Sequence, residues 1–223
     1  ILGVIANGAV TAGTIANQLR RQVSNLDPAL KRLIAAGFVT RHEDPIRARR
    51  PVYALADPFL QFHYAVLEPH ATLLRERDPR STWERRLAAV FDTRVRGPVF
   101  EEQVRTWVRR FATPETLGGE PDHVGPSAVT IAGTEYQLDV VVALDGDGVE
   151  PGRRTVLAIG EAKSGETVGI AHLRHLEQAR AALGPLAASA KLLLFAPKFS
   201  AELERLAAAR SDVELVDRER LYG

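Results

Sequence analysis

Cysteine and methionine are both absent from this 223-residue sequence. Without cysteine there is no disulfide staple, no Cys-ligated zinc, no iron–sulfur cluster and no thiol nucleophile. Without methionine there is no initiating residue. The sequence opens on Ile1-Leu2-Gly3-Val4-Ile5, a helical pattern already under way, so a longer chain with residues upstream is expected. No apolar run approaches the roughly 20 residues of a membrane span, and no secretory leader pattern occurs, so a soluble, cytoplasmic protein without a membrane partner is expected. Glycine-rich phosphate loops are missing as well. With no Gly-x-x-x-x-Gly-Lys-Ser/Thr, this stretch is not expected to bind ATP itself.

What is present is the composition of a folded chain: 45% hydrophobic and 26% charged residues, enough for one large or two small domains and too apolar for disorder. The net charge of +1 conceals a polarity: +4 over residues 1–58, +3 over 59–112, −7 over 113–170 and +1 over 171–223. A basic N-terminal half suits phosphates, and a concentrated acidic centre suits a divalent cation.

Residues 1–58 read as three short helices and a hairpin. The first ends at Asn7-Gly8. Thr11 or Thr14 caps the second, whose Ile15 and Leu19 lie four apart on one face. Asp27-Pro28 opens the third, with Leu26, Leu30, Leu33 and Ile34 as its apolar stripe and Gly37 as its stop. Phe38 to Arg41 and Pro51 to Leu55 pair as strands around a loop, Asp44 to Arg50, that holds three arginines. This layout resembles the winged helix-turn-helix. The resemblance implies a recognition helix in the major groove, with Lys31 and Arg32 facing DNA and Arg41, Arg47, Arg49 and Arg50 meeting phosphates. Winged helices also serve as protein-docking modules, so both readings stand.

Asp57-Pro58 and the aromatic cluster Phe59, Phe62, His63 and Tyr64 begin a helical linker over residues 59–95. From residue 96 to 223 the pattern is helix, three meandering strands, helix, strand, helix, strand, which is a mixed-direction α/β sheet with helices around it. The first helix runs over residues 99–111. Residues 113–128, rich in glycine and proline, read as irregular. Strands follow at 129–131, 136–144, 155–163, 191–196 and 213–216, with helices at 169–183 and 200–209.

One constellation in this half points to chemistry. Asp139 sits in a β-branched strand, where an acid is costly unless paired or metal-bound. Glu161 and Lys163 end the next long strand with one residue between them, so period-2 alternation puts them on one face. If the strands pair, Asp139 approaches Glu161, and two carboxylates held together favour a hard cation such as Mg²⁺ (or Mn²⁺). Lys163 alongside could orient an attacking water or balance charge developing on a phosphate. The His172-x-x-His175 pair reads as solvent-facing.

An Asp strand followed by Glu-x-Lys resembles the PD-(D/E)xK nuclease superfamily, the restriction-endonuclease-like fold. The helix start Gly97-Pro98-Val99-Phe100-Glu101 looks like that superfamily's Gly-x-x-Phe-Glu motif. The resemblance implies Asp139 and Glu161 as metal ligands, Lys163 as the catalytic lysine, Glu101 as a further acid, and Gln178 as an auxiliary contact. No proline precedes Asp139, and a glycine-rich insert from Asp145 to Arg154 lengthens the interval to Glu161. The whole order also resembles the C-terminal region of a bacterial and archaeal family of P-loop ATPases, through Ala36-Gly37-Phe38-Val39, Tyr53 to Phe62 and Gly97 to Glu101. That implies an ATPase domain upstream as a partner. Two functions follow: a metal-dependent DNA nuclease, or a non-catalytic DNA-binding or protein-interaction region of an ATPase.

Overall fold

Thr11 sets the start of the first capped helix. Its Oγ1 accepts from the Thr14 N–H (3.1 Å), and Thr14 Oγ1 accepts in return from the Thr11 N–H (3.0 Å). In the computed structural model, which describes all residues except 48–49, 132 and 147–153, this reciprocal cap opens α2 (Ala12–Gln18), after a short α1 (Leu2–Ala6). α3 spans Val23–Ala35, beginning four residues before the expected Asp27 cap. Pro28 therefore lies inside the helix, and Asp27 pairs with Lys31 (2.7 Å) instead of capping. Burial of Leu26 and Leu30 carries the helix through the missing N–H. β1 (Val39–His42) and β2 (Val52–Leu55) pair antiparallel, Val39 opposite Leu55. Ile5, Ile15, Leu26, Leu30, Val39 and Tyr53 form the core they share.

Asp57 accepts from the Phe59 N–H and caps α4 (Pro58–Phe62), which has proline at its first turn. Short helices α5 (Ala71–Glu76), α6 (Pro79–Thr82) and α7 (Ala88–Phe91) follow. Between and after them the chain widens into three π-helical turns, His63–Leu67, Trp83–Leu87 and Asp92–Arg96. Phe62, Trp83 and Phe91 meet in mutual ring contacts over buried Ala65, Val66, Leu87 and Val95. Buried Gln61 donates to the carbonyls of Ala6 and Arg94. The segment over residues 59–95 thus folds within the same compact unit as the first helices, Ile1–His42 with Arg50–Val99.

The second unit comprises Glu43–Arg49 and Phe100–Gly223. Its elements are α8 (Gly97–Arg110, entering from the first unit), α9 (Pro114–Leu117), β3 (His123–Ile131), β4 (Thr134–Asp145), β5 (Arg154–Ala162), β6 (Thr167–Val168), α10 (Ile170–Leu183), β7 (Lys191–Phe195), β8 (Lys198–Phe199), α11 (Ala201–Ala208), β9 (Val213–Val216) and α12 (Arg218–Tyr222). Five strands form one sheet in the order β3-β4-β5-β7-β9; the first three are antiparallel, and β7 and β9 run parallel to β5. β5 and β7 are parallel neighbours, so a crossover must join them, and α10 supplies it. One face packs Val141, Ile159, Leu192 and Leu194 on Leu173 and Leu176 of α10. The other packs Val140, Val142, Leu193 and Phe195 on Phe100, Val104 and Trp107 of α8. Being covered on both faces is why residues 140–143 of β4 and 192–195 of β7 read as unbroken apolar runs.

Residues 123–128 were expected to be irregular and are instead the first two-thirds of β3. An edge strand tolerates Pro126, which needs no ladder N–H there. Gly125 tolerates a close backbone: a Cβ would lie 2.5 Å from the Glu43 carbonyl oxygen. The stretch from Glu43 is fastened within this second unit. Buried Asp44 accepts from the N–H groups of Ile46 and Arg47, and Arg154 donates to the carbonyls of Asp44 and Pro45. The glycine-rich insert from Asp145 to Arg154 falls mostly outside the described residues. Among the described residues, no helix is long and apolar enough to cross a membrane.

Candidate active site

A β-bulge sets the position of Asp139. Gly125 pairs with Val141 and Ser127 with Leu138, so Pro126 alone faces the two residues Asp139 and Val140. On its other side β4 pairs with β5, and the ladder ends at Val140 opposite Gly160, immediately beside Asp139 and Glu161. The Ala162 N–H donates to Asp139 Oδ2 (2.9 Å). Lys163 is the first residue past β5; its N–H donates to the Phe195 carbonyl (2.9 Å) and its ammonium lies 2.9 Å from Glu161 Oε1. The other carboxylate oxygen, Glu161 Oε2, is buried with no hydrogen-bond partner. An orphaned buried oxygen of this kind is rare and costly, and it marks a place where a cation or water belongs.

The third acid comes from α8. Burial pushes the Glu101 carboxyl up to about 7, and the charge of Asp139 adds to the rise, while Arg105 and Lys163 pull it down. Asp139 is also raised, by burial first; the Ala162 N–H and the Lys163 ammonium oppose this and Glu161 reinforces it. Burial weakens the Lys163 ammonium, but the hydrogen bond and charge of Glu161, with Asp139 behind them, outweigh that and hold it above its ordinary value. Glu102, the neighbouring acid, is engaged elsewhere: it accepts from Arg105 Nε (2.9 Å) and Arg109 Nη1 (3.1 Å).

Asp139, Glu161, Lys163 and Glu101 thus interact electrostatically around one end of the β4–β5 pair. Among the described residues, no group of three or more His, Asp or Glu side chains is arranged to hold a metal ion. The donor set that fits a cation is the Asp139–Glu161 pair with its unsatisfied oxygen. Mg²⁺ accepts such a set, because it binds through one or two carboxylates and fills the rest of its shell with water and phosphate oxygens.

Arg105 was not among the residues expected at the site. It is 5% exposed, and its Nη1 donates to the Asp139 carbonyl (2.8 Å). Its spacing, three after Glu102 and four after Glu101 between buried Val104 and Val108, was the available signal. His175 stays exposed beside Tyr136, with the two rings tilted by 34°, and His172 is half-buried, accepting from the Gly169 N–H and facing Glu166 at 3.8 Å. Gln178 is exposed on α10.

The basic residues expected at DNA fall in two groups. Lys31, Arg32, Arg41 and Arg50 are exposed and belong to the first unit; Arg47 is half-buried and belongs to the second. Lys31 is paired with Asp27, whose hydrogen bond raises the ammonium above its usual range, and Arg32 Nε donates to the Pro28 carbonyl (3.2 Å). Arg49 lies outside the described residues. No protein-family model, curated protein or solved structure matches this chain.

Proposed function

We propose that the second unit is a restriction-endonuclease-like domain that hydrolyses DNA phosphodiester bonds with Mg²⁺ or Mn²⁺, and that residues 1–58 form a winged helix-turn-helix that holds the duplex. In this reading the chain is the C-terminal part of a P-loop ATPase. The observation that carries the proposal is the buried, unpartnered Glu161 Oε2, in a site where the charges of Asp139 and Glu161 act on each other and Lys163 stands alongside.

Asp139 and Glu161 would hold the ion. When bound, a divalent cation polarises the phosphate and lowers the pKa of a coordinated water. Lys163 then exchanges its bond to Glu161 for the phosphate, where a fixed positive charge offsets the negative charge that builds as the phosphorus is attacked. Glu101, titrating near neutrality, holds or releases a proton at the same end of the sheet.

A second reading has its own support. Glu161 already has a cationic partner in Lys163 at 2.9 Å, which suits a site that binds without cutting. In that case the chain is a DNA-binding or protein-docking region of the ATPase. Incubation with supercoiled DNA and Mg²⁺ or Mn²⁺ separates the two. Nuclease action predicts nicking that falls by about 10²-fold or more in Glu161→Ala and Lys163→Ala. Equal cleavage by the variants removes the site, and binding at low salt without cleavage selects the second reading.

A further inference from the structure

We propose that Arg105 is a positioning residue that fixes the main chain at Asp139 and thereby the aim of the Asp139 carboxylate. Asp139 lies in a bulge, where the ladder is broken and two residues face one. The residue facing it is Pro126, which has no N–H to give. The Asp139 carbonyl instead accepts from Arg105 Nη1 at 2.8 Å, from a guanidinium that is 5% exposed. That guanidinium is itself held: Nε binds Glu102 Oε2 at 2.9 Å, Glu102 Oε1 accepts from Arg109 Nη1 at 3.1 Å, and Glu101 Oε2 stands 3.8 Å from Arg105 Nη1.

A buried charge is expensive, so an arginine in this place must return something. A planar fork is suited to the task, because it donates in two fixed directions at once. One direction goes to α8 through Glu102 and the other to the bulge, so helix and strand are locked in register at the residue whose side chain enters the site. The Asp139 carboxylate in turn accepts from the Ala162 N–H, one residue before Lys163. Arg105 therefore supports both halves of the site without touching substrate. Its consequence for metal binding rests on the proposed function; its hold on Asp139 does not.

Amide hydrogen exchange at Ala162 reads the position of Asp139 directly and requires no metal. In Arg105→Met we expect Ala162 to exchange about tenfold faster or more, approaching Asp139→Ala, while the Leu193 and Leu194 amides of the neighbouring strand β7 keep their rates. Arg105→Lys, which retains one donor but not the fork, should recover part of the protection. Unchanged protection at Ala162 in both variants overturns the proposal. So does a loss shared equally by Leu193 and Leu194, which would mark Arg105 as a general prop of the fold. Calorimetric titration with Mn²⁺ then tests the consequence, with affinity expected to fall about 10–100-fold in Arg105→Met. A wild-type protein that takes up no Mn²⁺ sinks the metal reading, while the Ala162 amide still decides the role of Arg105.

Discussion

Glu101 shows how one residue's surroundings set its chemistry. Its carboxyl titrates at about 7 in the folded chain against an ordinary 4.5, because burial and the Asp139 charge disfavour ionisation. A carboxyl raised by folding favours the native state when protonated. Its contribution is complete below pH 4.5 and is lost as pH rises through 7. In a chelator-treated sample, wild-type stability should therefore fall between pH 5.5 and 8, by on the order of 1–2 kcal/mol after allowance for the solvent at its edge. Glu101→Gln, neutral throughout, should lose this part of the slope and be the more stable protein at pH 8. Urea titrations at the two pH values measure it, and parallel slopes would contradict the assignment. The choice of Glu101 over Glu102 rested on the resemblance, where only the former follows Phe100; in the structure Glu101 interacts with Asp139, while Glu102 accepts from Arg105 and Arg109. The buttress formed by Glu102, Arg105 and Arg109 was not, because periodicity cannot tell a solvated arginine from one that finds a strand carbonyl.

At the scale of elements, local signals located most of the structure. Thr11 and Thr14 were both cap candidates, and the structure uses both in one reciprocal motif. Thr11→Ala should cost about 1 kcal/mol and destabilise the first unit. Thermal melting followed by circular dichroism tests this, and an unchanged midpoint would mean that tertiary packing alone holds α2. β9, β7 and α10 fall within a residue of their expected limits, since each is a bounded apolar or amphipathic run. β3 did not, because Gly125 and Pro126 argue against a strand unless its edge position is known. The start of α3 was misplaced for a related reason: Asp-Pro is a strong opening signal, yet packing of Leu26 draws the helix upstream of it. The π-helical turns leave nearly the same apolar stripe as an α-helix and have no separate signature.

For the whole molecule, the cores divide by unit: Ile15, Leu30 and Val66 in one, Ile159, Leu194 and Phe195 in the other. The two tryptophans divide in the same way, Trp83 in the first unit and Trp107 in the second. Leu194 is fully buried, so Leu194→Ala should cost about 2–5 kcal/mol. In single-tryptophan versions made with Trp83→Phe or Trp107→Phe, the Trp107-reported transition should fall further than the Trp83-reported one. Equal shifts would show that both units unfold as one.

The sequence alone determined the elements with a bounded apolar or amphipathic run, such as α10, β7 and β9, because such a pattern depends on near neighbours along the chain. Tertiary structure decided how the residues of the site meet. A proline opposite a two-residue bulge, an arginine reaching from a helix to a strand carbonyl, and a carboxylate oxygen left without a partner all depend on segments far apart in sequence. Contacts of that range arise from strand register and helix packing, which no local pattern encodes.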